Sequence, residues 1–247
     1  MQEHRENALR RSEPAGRRYA WILFDADDTL LDYEAAQVRA LRATFTTLAL
    51  PFDDDILCRY AAINRALWRR IELGTITGER LRVARFAQLL QQRGLDADPQ
   101  VCSDLYLQML STMSLLVTGA LPLLQRLQPV CNLGLITNGL REVQRPRFER
   151  AGIMPYFAFA VVSDEIGAAK PARAFFDVAF AQMGKPPKHA VLVVGDSLAA
   201  DIRGGHEYGF ATCWFNPRRQ PRDPALTPTH EIARLPDLPP LLGLAEN

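Results

Sequence analysis

Nothing in this chain has the makings of a membrane span, since no apolar run approaches the roughly 20 residues that a transmembrane helix needs. A charge excess of either sign is missing too. Lys and Arg number 29 against 28 Asp and Glu, a formal net charge of +1, so nothing electrostatic points to polymeric nucleic acid or an anionic membrane as partner. Cysteine is sparse. Cys58, Cys102, Cys131 and Cys213 lie far apart, with no Cys-x-x-Cys pair and no His at zinc spacing. That argues against a disulfide framework or zinc site, and the four read as small buried apolar residues in a reducing cytoplasm. Residues 1–19 hold Arg5, Arg10, Arg11, Arg17 and Arg18 among Glu3, Glu6 and Glu13, with no apolar stretch. The expectation there is a mobile leader rather than a secretory signal or transit peptide. The remaining composition is globular: 247 residues, 48% hydrophobic and 23% charged, enough for one large domain or a core with an insert.

What is present is concentrated between Trp21 and Asp32. Trp21 to Phe24 is an uninterrupted apolar run, the pattern of a strand buried on both faces of a parallel sheet. Directly after it come Asp25, Asp27 and Asp28, then the hydroxyl of Thr29. Like charges this close at the mouth of a buried strand repel one another and resist desolvation, so a cation or a proton must relieve them. In open parallel sheets ligands bind at the carboxyl ends of strands. Asp-x-Asp-x-Thr at such an end reads as a divalent-metal and phosphate site, the plain alternative being a polar turn.

From Tyr33 the period becomes helical. Val38, Leu41, Phe45 and Leu48 mark a helix closed by Pro51, and Asp53 to Asp55 open a second whose stripe is Ile56, Tyr60, Ile63, Leu67 and Ile71. A third is expected from Gly78 to Gln92 with Gly94 as its stop, and a fourth from Pro99 to Met113. No strand pattern appears before Leu115, so residues 33–115 read as an all-helical inserted domain, with 20–32 and 116–247 forming the core. Strands then alternate with helices: Val130 to Ile136, Phe157 to Val162, Ala190 to Val194 and Ala211 to Phe215. Pro146 is expected to break the helix between Arg141 and Ala151 and to restart it. The proline-rich tail reads as loop with a short helix near Leu238 to Leu244. The fold class is therefore α/β, a doubly wound parallel sheet with a helical insert.

Four segments at or just beyond strand ends carry polar signatures in chain order: Asp25-x-Asp27, Thr137-Asn138, the loop with Lys170, and Gly195-Asp196 followed by Asp201. Singly, Lys170 would be a solvated surface lysine, Thr137-Asn138 a turn and Asp201 a helix-start charge. In this order they resemble the four motifs of the haloacid dehalogenase superfamily of phosphatases, and the resemblance spans about Trp21 to Phe215. It implies that Asp25 is the nucleophile that forms an aspartyl-phosphate and that Asp27 is the general acid and base. Magnesium would be held by Asp25, the carbonyl of Asp27 and Asp196, with Asp201 ordering metal-bound water or ligating directly. Thr137, the amide of Asn138 and Lys170 would bind the transferring phosphoryl oxygens. Dehalogenase members lack the second aspartate, so Asp27 argues for phosphate esters. The helical insert resembles that family's cap, which favours small esters.

A closer likeness runs through Phe24-Asp-Ala-Asp-Asp-Thr-Leu, Asn64-x-x-Leu-Trp68, Gly74-x-Ile-Thr77, Arg85-Phe86, Ile136-Thr-Asn-Gly139, Ser163-Asp-Glu-x-Gly167-x-Ala-Lys-Pro171 and Ala211-Thr-Cys-Trp-Phe-Asn216. These segments resemble the bacterial house-cleaning pyrimidine 5′-nucleotidases, which implies hydrolysis of UMP, dUMP and dTMP. Trp68 would stack on the base, with Asn64, Thr75 and Arg85 hydrogen-bonding it or the sugar. The competing readings are a phosphatase for a sugar phosphate or phosphoglycolate, and a phospho-accepting signalling module that stores the phosphoryl group. A substrate panel separates the first; steady-state turnover excludes the second.

Overall fold

Trp21–Asp25 forms β1, an interior strand buried along its whole length, in a computed structural model that describes residues 18–244. The leader expected over residues 1–19 lies outside the described residues up to residue 17. The other strands are β2 (Asn132–Thr137), β3 (Phe159–Val162), β4 (Val191–Gly195), β5 (Ala211–Phe215) and β6 (His230–Ile232). The helices, in chain order, are α1 (Tyr33–Thr47), α2 (Asp54–Glu72), α3 (Gly78–Arg93), α4 (Pro99–Ser111), α5 (Ala120–Leu127), α6 (Arg141–Arg150), α7 (Ser163–Ile166), α8 (Arg173–Gln182), α9 (Gly204–Tyr208) and α10 (Leu238–Leu241).

All neighbouring strands pair in parallel, in the order β3-β2-β1-β4-β5-β6. Helices cover a parallel sheet on both faces, which is why β1 and β4 are apolar at nearly every position instead of alternating. The chain steps outward from β1 to β2 and β3, then returns to lay β4 on the other side of β1. That reversal opens a crevice at the carboxyl ends of β1 and β4, and it makes the sheet doubly wound. β6 is absent from the sequence reading. With three residues, two of them His230 and Glu231, it has neither the length nor the alternation to announce a strand, and it forms by pairing its backbone with β5.

Contacts divide the chain into two compact units. One holds the sheet and, among the described residues, comprises 18–32, Leu116–Asn138 and 152–244. The other is helical, Tyr33–Leu115 joined by Gly139–Ala151. Its helix starts follow from capping chemistry. Asp53 accepts the N–H of Ile56 at 2.9 Å, Thr77 that of Arg80 at 3.4 Å, and Asp98 that of Gln100 at 2.7 Å ahead of Pro99. The stripe Ile56, Tyr60, Ile63 and Leu67 packs with Phe45, Leu81, Phe86, Leu89 and Tyr106 into its core.

α6 runs through Pro146 without the expected break. Proline costs this helix one backbone hydrogen bond, but packing outweighs the loss: Val143, Arg147 and Phe148 are buried, and the Arg147 guanidinium donates from Nε to the Met113 carbonyl at 3.0 Å. Of the four cysteines, all unbridged, three are buried as expected, while Cys58 is exposed on the outer face of α2. Among the described residues no helix is long and apolar enough to cross a membrane.

Candidate active site

The loop after β1 is folded tightly by its own backbone. The Ala26 carbonyl accepts the N–H groups of Leu30 and Leu31 at 2.9 and 2.8 Å, and the Asp28 N–H donates to Leu31 at 2.7 Å. Asp28 takes a left-handed conformation, φ +59°, which Asp tolerates better than most residues. The turn delivers the fully buried Thr29 to the end of β4, where its hydroxyl accepts the N–H of Asp196 at 3.1 Å. Trp214 on β5 holds the other backbone group of the same residue, its indole N–H donating to the Asp196 carbonyl at 2.8 Å.

Lys170 is the hub. It is 1% exposed, far from the surface lysine its sequence position alone would suggest. Its ammonium donates to Oδ1 of Asp25 at 2.6 Å, to Oδ1 of Asp201 at 2.6 Å and to the Ile136 carbonyl at 3.1 Å, so all three of its protons are spent. Thr137, the last residue of β2, directly follows Ile136 and is buried. Asp201 sits in a wide π-type turn, Leu198–Arg203, and its Oδ2 accepts the Ser197 N–H at 3.1 Å. Single π turns of this kind recur at functional sites. Gly195 makes room for that carboxylate: a Cβ there would fall 2.3 Å from Cγ and Oδ2 of Asp201.

Carboxylate oxygens of Asp25, Asp196 and Asp201 all lie within 4.8 Å of one another. One ammonium cannot balance three carboxylates. Burial pushes Asp25 up to about 8, with Asp201 adding to the shift and Lys170 opposing it. Asp196 is raised well above the usual carboxylate range by burial and then by Asp25. Lys170 is raised despite its burial, because Asp201 and Asp25 both favour its charged form. Two excess negative charges on hard oxygen donors, in a crevice, suit a divalent cation, and the donor set fits one. Where the sequence reading set Asp201 behind the ligands or among them, its carboxylate belongs to the same cluster as Asp25 and Asp196. Asp27 contributes no side-chain oxygen to that cluster.

The positioning partners were the harder part to read. Thr29 and Trp214 reach the Asp196 backbone through single hydrogen bonds across 167 and 18 residues, for which a sequence carries no local signal, whereas Ser197 caps its own turn by accepting the Ala200 N–H three residues on.

In the helical unit, Asn64 and Arg85 come together: Arg85 Nη1 donates to Asn64 Oδ1 at 3.3 Å, and both residues are buried. Asn64 Nδ2 donates to Tyr33 Oη and Gln37 Oε1, each at 3.2 Å. The Arg85 guanidinium lies 4.6 Å from the Tyr106 ring centroid, and its Nε and Nη2 have no hydrogen-bond partner among the described residues. Trp68 is half-buried against the hydrophobic cluster of this unit, and the Thr75 hydroxyl donates to the Arg70 carbonyl at 3.0 Å.

Residues 19–209 match the family model of haloacid dehalogenase-like hydrolases. YfnB of Bacillus subtilis, which carries the name of an HAD-hydrolase, is 36% identical over 92% of this chain and 97% of its own length. Its crystal structure, bound to magnesium, superposes with a TM-score of 0.87 and covers 92% of this chain and 100% of that one. The pyrimidine 5′-nucleotidase YjjG of Escherichia coli is 33% identical over 91% of this chain and 98% of its own. PynA of Streptococcus pneumoniae, also a pyrimidine 5′-nucleotidase, is 32% identical over 89% and 93%. With a family model covering most of its length and crevice residues of the matching kinds in the matching order, this chain is an enzyme that belongs to the haloacid dehalogenase-like hydrolase family.

Proposed function

We propose that this protein is a magnesium-dependent phosphomonoester hydrolase that removes phosphate from pyrimidine nucleoside 5′-monophosphates, UMP, dUMP and dTMP, in the cytoplasm. The observation that carries the chemistry is Lys170 bridging Asp25 and Asp201 at the switch point of the sheet, beside Asp196. The pyrimidine substrate rests on the likeness to YjjG and PynA.

In this reading Asp25 attacks phosphorus, forming an aspartyl-phosphate as the ester oxygen leaves. Asp27 gives that oxygen its proton, then takes one from the water that attacks phosphorus and frees Asp25 and phosphate. Thr137 and the Asn138 amide hold the phosphoryl oxygens, and Lys170 offsets charge on phosphate and nucleophile together. Magnesium, held by Asp25, the Asp27 carbonyl and Asp196 with Asp201 beside them, would supply charge neutralisation between two anions. For substrate choice the reading rests on the helical unit, where Asn64 and the spare donors of Arg85 would answer the acceptor atoms of a pyrimidine, and Trp68 and Thr75 would make further contacts with base or sugar.

Phosphate release across a panel, with magnesium and with EDTA, tests the reading. It predicts EDTA-sensitive turnover, with kcat/KM for dUMP, UMP or dTMP at least about tenfold above a sugar phosphate or phosphoglycolate. Preference for the latter overturns the substrate; absence of metal-dependent turnover overturns the chemistry.

A further inference from the structure

Asn138 enters the sequence reading through its backbone amide; its side chain has a separate engagement. Asn138 Oδ1 accepts the Lys170 N–H at 2.8 Å, and Asn138 Nδ2 donates to the Lys170 carbonyl at 2.8 Å. The side-chain amide thus pairs with both backbone groups of one residue, as a neighbouring strand would. Lys170 needs such a partner, because it lies in a turn between α7 and α8 with no ladder of its own. The same end of β2 also takes one proton of the Lys170 ammonium, through the Ile136 carbonyl at 3.1 Å.

We propose that Asn138 is a positioning residue: its amide clamps the Lys170 backbone so that the ammonium is delivered between Asp25 and Asp201. The proposal rests on the phosphohydrolase reading above and adds a role that reading does not contain. Asn suits the site: an ionised Asp offers no donor for the Lys170 carbonyl, Gln is a methylene longer, and a single hydroxyl oxygen cannot span the N–H and the C=O of Lys170 as the two ends of an amide do.

The experiment measures kcat/KM on p-nitrophenyl phosphate and on the best nucleotide for Asn138→Ala, Asn138→Asp, Lys170→Met and the Asn138→Ala, Lys170→Met double variant. Asn138→Ala is expected to lose about 10- to 100-fold, the scale of two lost hydrogen bonds and a displaced catalytic group. In the Lys170→Met background the same change should cost less than about threefold, because a clamp on an absent ammonium does nothing. Asn138→Asp should recover activity as pH falls, when its protonated carboxyl can donate to the Lys170 carbonyl, while Asn138→Ala should not. A loss under threefold in the single variant, or an undiminished loss in the Lys170→Met background, overturns the clamp. Lack of any phosphate-ester turnover in the unaltered enzyme would instead remove the phosphohydrolase reading. In that event a crystal structure of Asn138→Ala still decides: the clamp predicts Lys170 Nζ withdrawn from its 2.6 Å contacts by about 1 Å or more, and an unmoved ammonium refutes it.

Discussion

Replacing Gly195 by Ala adds one methyl group and removes no functional group, yet it should disable the site. The new Cβ would stand 2.3 Å from Cγ and Oδ2 of Asp201 and 2.6 Å from its Cβ. Ordinary carbon contacts need about 3.5 Å, so the carboxylate must retreat by roughly 1 Å. It has nowhere to go cheaply, being 1% exposed, bonded to Lys170 at 2.6 Å and to the Ser197 N–H at 3.1 Å. Overpacking of this kind costs about 1–3 kcal/mol in stability. A misplacement of about 1 Å in the groups that align a reaction costs about 100-fold in rate. We expect Gly195→Ala to fold, to melt several degrees lower, and to lose at least about 30-fold in kcat/KM on p-nitrophenyl phosphate in saturating magnesium. Activity within threefold of the unaltered enzyme would refute the reasoning, because it would mean that the position of Asp201 is immaterial.

Three further outcomes follow from the same geometry. Asp25 is held up to about 8 and Asp196 well above its usual value, so the metal-free protein has its contribution from these groups in full below about pH 4 and loses it as pH rises toward 8. Magnesium binds the ionised cluster, so the melting-temperature gain from adding it, read by scanning fluorimetry against EDTA, should grow between pH 5 and pH 8; a gain that is flat or absent contradicts the metal assignment. Asp27→Asn should slow alkyl phosphates with poor leaving groups far more than p-nitrophenyl phosphate, whose leaving oxygen needs little protonation, and equal losses on both would deny Asp27 the acid role. Pro146→Ala restores a backbone donor inside α6 and should raise the free energy of unfolding by about 1–3 kcal/mol in a denaturant titration; destabilisation would show that the ring's packing matters more than the missing bond.

Much of this was legible in the chain because the signals were local and physically costly to fake. An apolar run ending in Asp25-x-Asp27 tells of a buried strand with a charged mouth, and Asp53, Thr77 and Asp98 announce helices by chemistry that acts over two or three residues. What escaped depends on partners distant in sequence. β6 exists only through β5, and α6 survives Pro146 only through burial of Val143, Arg147 and Phe148. The burial of Lys170 and the second use of Asn138 both need the fold before they can be seen, since a lone lysine in a loop looks solvated until three acceptors close on it.

The most direct test of the account is to catch the phosphoryl group on the protein. Acid quench of a single turnover with 5′-[32P]-labelled dUMP, followed by digestion and mass spectrometry, should place the label on Asp25. Asp25→Asn should show neither label nor turnover while keeping the circular dichroism and melting behaviour of the folded protein. Label on another residue, or an Asn variant that still turns over, would contradict it.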